Sequence, residues 1–384
     1  MNCRWHLITG EYPPQPGGVA DYSRLVAWGL AAAGDEVNVW APQCDGAVLN
    51  DGRVAVRRLP GHFGPKALAA LDRGLRRRPG RVLLQYAPHA FGYKAMNLPL
   101  CAWLWARPRA LDVMFHEVAY PLETGQPLTH RMLALTNRAM AFLLLRAAQR
   151  VFVSIPGWQP LLRALVPSSP QPVWAPVPSN LPTDCPAAAA AELRACRLPA
   201  SAQWLVGHFG TYGTLVTRLL EPAIVALLER APFVHMLLLG RDGLDYATRL
   251  TRRHPSLAAR VTAMGTLDAA SVAAHLTACD VLLQPYPDGI STRRCSAMSA
   301  LALGKPVVTT DGHSCEQFWR TVGAVVFAPA TGLADAVHAL LADAARRAEL
   351  GRRAAALYRA RFAVEHTIRV LRHTQVTCPA PMAV

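Results

Sequence analysis

Lysine is almost missing from this 384-residue chain: of its 40 basic residues only Lys66, Lys94 and Lys305 are lysines, and the rest are arginines. Acids are scarce too, 25 of them, so the formal net charge is +15. That excess reads either as a bias toward arginine codons or as attraction to anionic phospholipid or to phosphate-bearing substrates. The nine cysteines are scattered and form no Cys-x-x-Cys pair, which argues against a structural zinc site or a disulfide framework and for a reducing cytoplasm. Aromatics make up only 7% of the chain and no nucleic-acid-binding motif is present, so nucleic acid is not an expected partner. No uninterrupted apolar run reaches the ~18–20 residues of a membrane span. The start, MNCRWHLITG, lacks a long apolar region with a cleavage site and reads as a first strand rather than a secretory signal. No His/Asp/Glu cluster has metal-ligand spacing, so no metal is expected, and no Gly-x-Gly-x-x-Gly follows the first strand, which weakens a dinucleotide reading.

What is present is core and alternation. Hydrophobic residues make up 52% of the chain, and the length suits two domains of about 150–200 residues. Strands are expected near Trp5–Thr9, Glu36–Trp40, Val82–Tyr86, Leu111–Phe115 and Val151–Ser154. A second series is expected at Trp204–Phe209, Val234–Leu239, Val261–Ala263, Val281–Gln284, Val307–Thr309 and Ala324–Phe327. Helical stretches separate them, which calls for an α/β fold with parallel sheets. The proline-rich, alanine-rich segment around Leu181 reads as the connection. The expected divisions are therefore 1–181, 182–365 and a helix end with tail at 366–384. A single amphipathic terminal helix is expected from Ala344 to about Gln375, with the tail CPAPMAV frayed.

The most informative stretch is PYPDGISTRRCSAMSALALGKPVVTT, from Pro285 to Thr310. It reads as strand end, polar loop, helix of small residues, a stop at Gly304, and the next strand. In an open parallel sheet such a loop is where ligands bind. Here it carries Asp288, Gly289, Ile290, Ser291, Thr292, Arg293 and Arg294 ahead of Ser296. A carboxylate, two arginines and a helix N-terminus suit a polyhydroxylated, phosphate-bearing ligand. Being adjacent in sequence, the two arginines are expected to face different ways, with one binding. Gly17 and Gly18 follow the first strand and let backbone N–H groups approach a ligand, or else merely turn the chain into its helix. Asp21 reads as an N-cap. His116 and Glu117 end a strand at a sheet edge, where His116 could bond a sugar hydroxyl or simply cap the strand. His208, Gly210 and Thr211 follow the second series' first strand in a loop of small residues and hydroxyls. Arg241 with Asp242 is either a phosphate or base contact or a turn pair. Glu316 could serve the site as a substitute acid, but Ser314 and Gln317 read as a capping box, which makes it an ordinary first-turn acid.

The acid-Gly loop, the helix with Ala297-Met298, the Gly304-Lys305-Pro306-Val307-Val308 run and the segment from Gly10 to Pro42 together resemble the family-4 glycosyltransferases of the GT-B architecture. The resemblance runs nearly the whole chain in order. It implies two Rossmann-like domains with parallel sheets facing a central cleft, and a C-terminal helix crossing back to the first domain. It further implies a nucleotide-diphosphate sugar as co-substrate with no other cofactor, held by the second domain. A saccharide, lipid-linked or small-molecule acceptor would be held by the first, with retention at the anomeric carbon. Asp288 falls where the family has the first of two glutamates eight positions apart, the one that contacts donor-sugar hydroxyls. Ser296 falls on the second, which in the family holds the ribose. His116 matches a histidine that positions the donor sugar, and Gly17–Gly18 a loop beside the donor diphosphate. The family's Arg…Lys pair beyond Gly213 is not kept, with Thr214 and Arg218 the nearest polar residues. An epimerase of the same architecture and a non-catalytic nucleotide-sugar-binding partner are the competing readings. The family often works on lipid-linked acceptors, so a weak contact with anionic membrane at the cytoplasmic face is expected, through Arg76, Arg77 and Arg78 and the stretch from Arg131 to Arg150; a solvated helix end and a core helix of the first domain are the competing readings of these two segments.

Overall fold

The structure, a computed structural model, describes residues 3–107 and 110–373; the expected tail lies outside them. The chain divides into two compact units, Met1–Val177 with Val364–Val384, and Pro178–Ala363. The division falls four residues before Leu181, because Ser179 already belongs to the second unit. Its N–H donates to the Tyr358 hydroxyl at 3.1 Å and its Oγ to Ser299 Oγ at 3.1 Å.

The first unit is built on eight strands: β1 (Arg4–Thr9), β2 (Glu36–Pro42), β3 (Asn50–Asp51), β4 (Val54–Leu59), β5 (Arg81–Tyr86), β6 (Leu111–Phe115), β7 (Arg150–Val153) and β8 (Val173–Trp174), in the order β3-β4-β2-β1-β5-β6-β7-β8. The pairings are parallel except β3 with β4. The second unit has six: β9 (Trp204–Phe209), β10 (Val234–Leu239), β11 (Val261–Met264), β12 (Val281–Gln284), β13 (Val307–Thr309) and β14 (Val326–Phe327), all parallel, in the order β11-β10-β9-β12-β13-β14. Strands such as LDVMF and VHMLLL are buried throughout because helices cover both faces of a parallel sheet. β4 and the two-residue β3 and β8 were not expected; β4 hides because VAVRRL carries two arginines on an edge-proximal strand.

In each unit the strand order reverses beside the first strand, between β1 and β5 and between β9 and β12. Loops at the carboxyl ends of those strands open a crevice there. They are 10–17 and 87–97 in the first unit, and 210–213 and 285–294 in the second.

Two local expectations need correction. Asp21 is not an N-cap. The helix Gly18–Ala32 starts from Gly17, and Asp21 lies within its first turn. The terminal helix is two helices, Ala344–Arg361 and Val364–His373. Phe362 interrupts it because its ring is fully buried in the second unit, stacked on Trp319 with centroids 6.0 Å apart. The shorter helix then packs on the first unit, where Thr367 donates to the Pro176 carbonyl at 2.6 Å and Ile368 meets Gly29. The helix Leu128–Ala147 is a core element on one face, through Met140, Ala141, Leu144 and Leu145, yet Leu128, Met132, Leu135 and Phe142 are exposed on another. No helix among the described residues is long and apolar enough to cross a membrane.

The first sheet buries one ion pair. Arg150 Nε donates to Asp112 Oδ1 at 2.9 Å and Nη2 to Oδ2 at 2.5 Å, with both side chains almost inaccessible. Arg81 approaches the same carboxylate at 3.4 Å. Removing Arg150 leaves the buried Asp112 charge with only the longer contact to Arg81. Arg150→Met should therefore cost about 3–5 kcal/mol, and Arg150→Met with Asp112→Leu should cost less than the sum of the two singles. Chemical denaturation of the four-member cycle measures both.

Candidate functional site

The second unit gathers the predicted loop residues most tightly. Asp288 lies just past β12 with only 17% of its side chain exposed, and it binds both neighbouring guanidiniums. Arg293 Nη2 donates to Oδ2 at 3.0 Å and Arg294 Nη2 to Oδ1. The expectation that the arginines face apart is wrong. They sit in the turn before the helix Cys295–Ala302, with Arg294 in extended conformation at its N-cap, so the helical rotation per residue does not separate them. Burial opposes the Asp288 charge, but Arg294, the loop's own backbone and Arg293 outweigh it and hold the carboxyl below the usual range. It is therefore an anion at neutral pH.

Arg294 lies over the Tyr286 ring, 5.0 Å from its centroid, and the Tyr286 hydroxyl bonds Ser296 Oγ at 2.8 Å. Burial pushes that phenol up to about 12, so it remains a donor. Ser296 also borders the loop after β9: a Cβ placed on Gly210 would lie 3.9 Å from Ser296 Oγ and 3.7 Å from His208 Nε2. His208 is buried, its Nδ1 donating to the Leu283 carbonyl at 2.8 Å, and its Nε2 lies on the side of the Thr211 backbone. Thr211 follows on the same loop. Arg241 is exposed after β10, and Asp242 precedes the helix Gly243–Arg253.

Sequence reasoning undervalued Glu316. The expected capping box of Ser314 and Gln317 is not formed: Glu316 itself is the N-cap residue of the helix Gln317–Val322, lies outside its first turn and makes no side-chain cap bond. Its Oε1 accepts the Thr292 N–H at 3.1 Å and hydroxyl at 2.7 Å, and its Oε2 accepts the Trp319 indole at 2.9 Å. Ile290, Ser291 and Thr292 are fully buried, so Ile290 and Thr292 anchor the loop, whereas Ser291 Oγ is a buried hydroxyl with no bond among the described residues. A backbone contact completes the anchor. Gly289 has φ +88°, a Cβ there would meet Gly312 N at 2.5 Å, and one on Gly312 would strike the Asp288 carbonyl carbon.

In the first unit, Gly17 and Gly18 do open the helix Gly18–Ala32, but Glu11 occupies that end. Its Oε1 accepts the Ala20 N–H at 3.1 Å, and a Cβ on Gly17 would strike its carboxylate. Among the described residues nothing lies within 4 Å of a Cβ on Gly18. His116 is buried rather than open. Its Nε2 donates to Gln85 Oε1 at 2.9 Å, and its ring meets Tyr22 edge-on at 4.6 Å. Glu117 is paired with His89 at 3.3 Å, which raises the His89 pKa.

Beside these loops runs a groove of about 620 Å³, lined by Pro60, Gly61, His62, Lys66, Gly92 and Tyr93 among others. The non-glycine residues with positive φ cluster at it: Phe63 (57°), Tyr93 (53°), Lys94 (53°) and Ala95 (65°). Each such backbone costs of order 1–3 kcal/mol and persists only where packing enforces it, commonly at ligand sites. Among the described residues no group of three His, Cys, Asp or Glu side chains could hold a metal ion.

Residues 206–343 match the family described as Glycosyl transferases group 1. By sequence, no curated protein matches the chain. Among solved structures it is similar to sucrose-phosphate synthase of Thermosynechococcus elongatus (22% identity, 96% of this chain and 97% of that one, TM-score 0.72). It is also similar to Anabaena HepE in complex with UDP-glucose (17%, 96% and 98%, 0.68) and to WaaG, a glycosyltransferase of lipopolysaccharide biosynthesis (13%, 96% and 100%, 0.67). The fold is that of the GT-B glycosyltransferases. The segment that matches the group 1 family runs from within β9 to just past the helix Leu333–Ala342 and contains the Asp288 loop.

The two buried imidazoles at these loops titrate low. Desolvation pushes His116 and His208 down to about 4, against ~6.5 when unfolded. The unfolded state therefore binds more protons between these values, and stability should fall as pH drops from ~6.5 toward 4. In an NMR titration these two rings should not move between about pH 8 and pH 5.5, while exposed histidines of ordinary pKa do.

Proposed function

We propose that the protein is a nucleotide-sugar-dependent glycosyltransferase that moves a hexosyl group from a nucleotide-diphosphate donor to a saccharide, lipid-linked or small-molecule acceptor, with retention and without a metal. The observation that carries this is the Asp288–Arg293–Arg294 cluster at the second unit's switch point. It sets a carboxylate and two guanidiniums on a loop pinned from behind by Glu316 and by the Gly289–Gly312 contact. The Anabaena HepE complex with UDP-glucose supports a donor of that kind.

In this reading the second unit holds the donor. Asp288 accepts from sugar hydroxyls, which releases the guanidiniums to the diphosphate. There they stabilise the negative charge that grows as the glycosidic bond to phosphate breaks. Gly289 and the N–H groups opening the helix at Cys295 add to that field. Ser296, tied to Tyr286, faces the ribose in place of a longer acid, with His208, Gly210, Thr211 and Arg241 at the margin. His116 acts as a neutral hydrogen-bonding group in the first unit, not as a cation. Gly18 has room for an approaching ligand; Gly17 is committed to Glu11. The acceptor takes the strained groove at Lys66 and Tyr93, where the enforced backbone supplies a preorganised wall. An epimerase would use the same donor cluster without an acceptor, and a binding partner would use it without turnover. Donor consumption with and without acceptor separates the three.

Asp288→Asn should fold normally and reduce transfer roughly 100-fold, the scale of losing an interaction concentrated in the transition state. Arg293→Ala and Arg294→Ala should each weaken nucleoside-diphosphate binding by about 1.5–3 kcal/mol, the range for a charged hydrogen bond. Near-normal turnover in Asp288→Asn, or unchanged diphosphate affinity in both arginine variants, overturns the assignment. Transfer should also persist in excess chelator; loss restored by magnesium or manganese would show that a metal takes part.

A further inference from the structure

The arginines at the end of the helix Pro65–Arg77 are all exposed, but they differ in their partners. Arg76 pairs with Asp72 at 2.8 Å, one turn back, and Arg81 leans on Asp112 at 3.4 Å. Arg73 and Arg77, with Arg57 of β4 and Arg78, line a pocket of about 540 Å³ together with His6, Asn38 and Trp40. Trp40 Nε1 donates to His6 Nδ1 at 3.1 Å, His6 Nε2 donates to the Arg78 carbonyl at 2.7 Å, and the Trp40 ring leaves space for no side chain at Gly74.

Three of the four arginines here are uncompensated. Glu36 pairs with Arg4 and with the pocket's own Arg78, and Asp72 is engaged with Arg76 and Arg107. Arg57, Arg73 and Arg77 have no acid partner among the described residues. Arg73 and Arg77 are also a like-charged i,i+4 pair, an arrangement that by itself destabilises a helix, while the other face of the same helix pairs Arg76 with Asp72 in the favourable sense. The helix C-terminus contributes only about −0.5 charge against these guanidiniums. The pocket lies toward the amino ends of β1 and β2, at the opposite end of the sheet from the loops after β1 and β5.

We propose that this pocket is a second anion site that takes a phosphoryl group, with Arg57, Arg73 and Arg77 converging on its oxygens. Guanidinium forks suit phosphate by geometry as well as charge. The phosphoryl group can come from a soluble phosphate ester or from a phospholipid headgroup, and the same side chains would read either. This also revises which arginines would carry a membrane contact: Arg57, Arg73 and Arg77 rather than the run Arg76 to Arg78.

The test uses the full chain carrying Arg293→Ala and Arg294→Ala, so that the second unit's loop does not contribute. Pyrophosphate is titrated by calorimetry, and vesicles of phosphatidylcholine with phosphatidylglycerol are tested by co-sedimentation at low and high salt. We expect saturable pyrophosphate binding, salt-sensitive vesicle binding, or both. Adding Arg57→Gln, Arg73→Gln and Arg77→Gln should reduce it at least tenfold, while adding Arg76→Gln alone leaves it within twofold. Pyrophosphate binding identifies the soluble source, and vesicle binding alone identifies the lipid. If thermal melting shows the triple change to be unfolded, Arg73→Gln and Arg77→Gln are read singly, each with a severalfold loss. Binding of neither probe, or an equal loss with Arg76→Gln, overturns the proposal.

Discussion

Two stretches of backbone pass so close that neither can carry a side chain. Gly289 and Gly312 belong to the loops after β12 and β13, and a Cβ on either would sit about where the other's backbone lies. Most of the candidate site hangs on this contact. It fixes the residue next to Asp288, and the Ser314 N–H donates to the Asp288 carbonyl at 2.9 Å. Glu316, further along the loop that carries Gly312, then reaches back to Thr292. The loop bearing the charged side chains is held at both ends by its neighbour, so Asp288, Arg293 and Arg294 meet without help from a regular helix.

Charge is handled in two ways. In the first sheet's interior, Arg150 and Asp112 neutralise each other with two aligned hydrogen bonds, the condition under which a buried pair is tolerated. At the second unit's loop the acid is outnumbered. One carboxylate between two guanidiniums leaves a net positive group at partial burial, where screening by water is weaker. Such a group is poised for an anion in a way that a matched pair is not. The same distinction separates Arg76, satisfied by Asp72, from Arg73 and Arg77 on the adjoining face.

The alternation of strand and helix was legible in the sequence. So were the inner strands, most of them to within a residue at each end, because buried parallel strands are short apolar runs with few rivals. The edge strands were not legible, since β4 mixes arginines with valines and β3 and β8 are two residues long. The break at Phe362 was hidden as well. RFAV keeps a helical pattern, and only the aromatic stack on Trp319 pulls the ring out of line. Glu316 was misjudged for a related reason: its local sequence describes a helix start, whereas its partner is 24 positions earlier.

The sequence by itself determined the fold class, the two units and the loop on which the acid and arginines lie, because periodicity, turn residues and strand-end position are local properties. Tertiary structure alone decided how those side chains are used. It turned both arginines onto one carboxylate, buried His116 against Gln85, set Glu11 at the diglycine helix start, and sorted a run of arginines into paired and unpaired ones. Each of these outcomes depends on which distant group fills the neighbouring space. Hydrogen bonding and desolvation act through space, and the spacing of residues along the chain does not encode them.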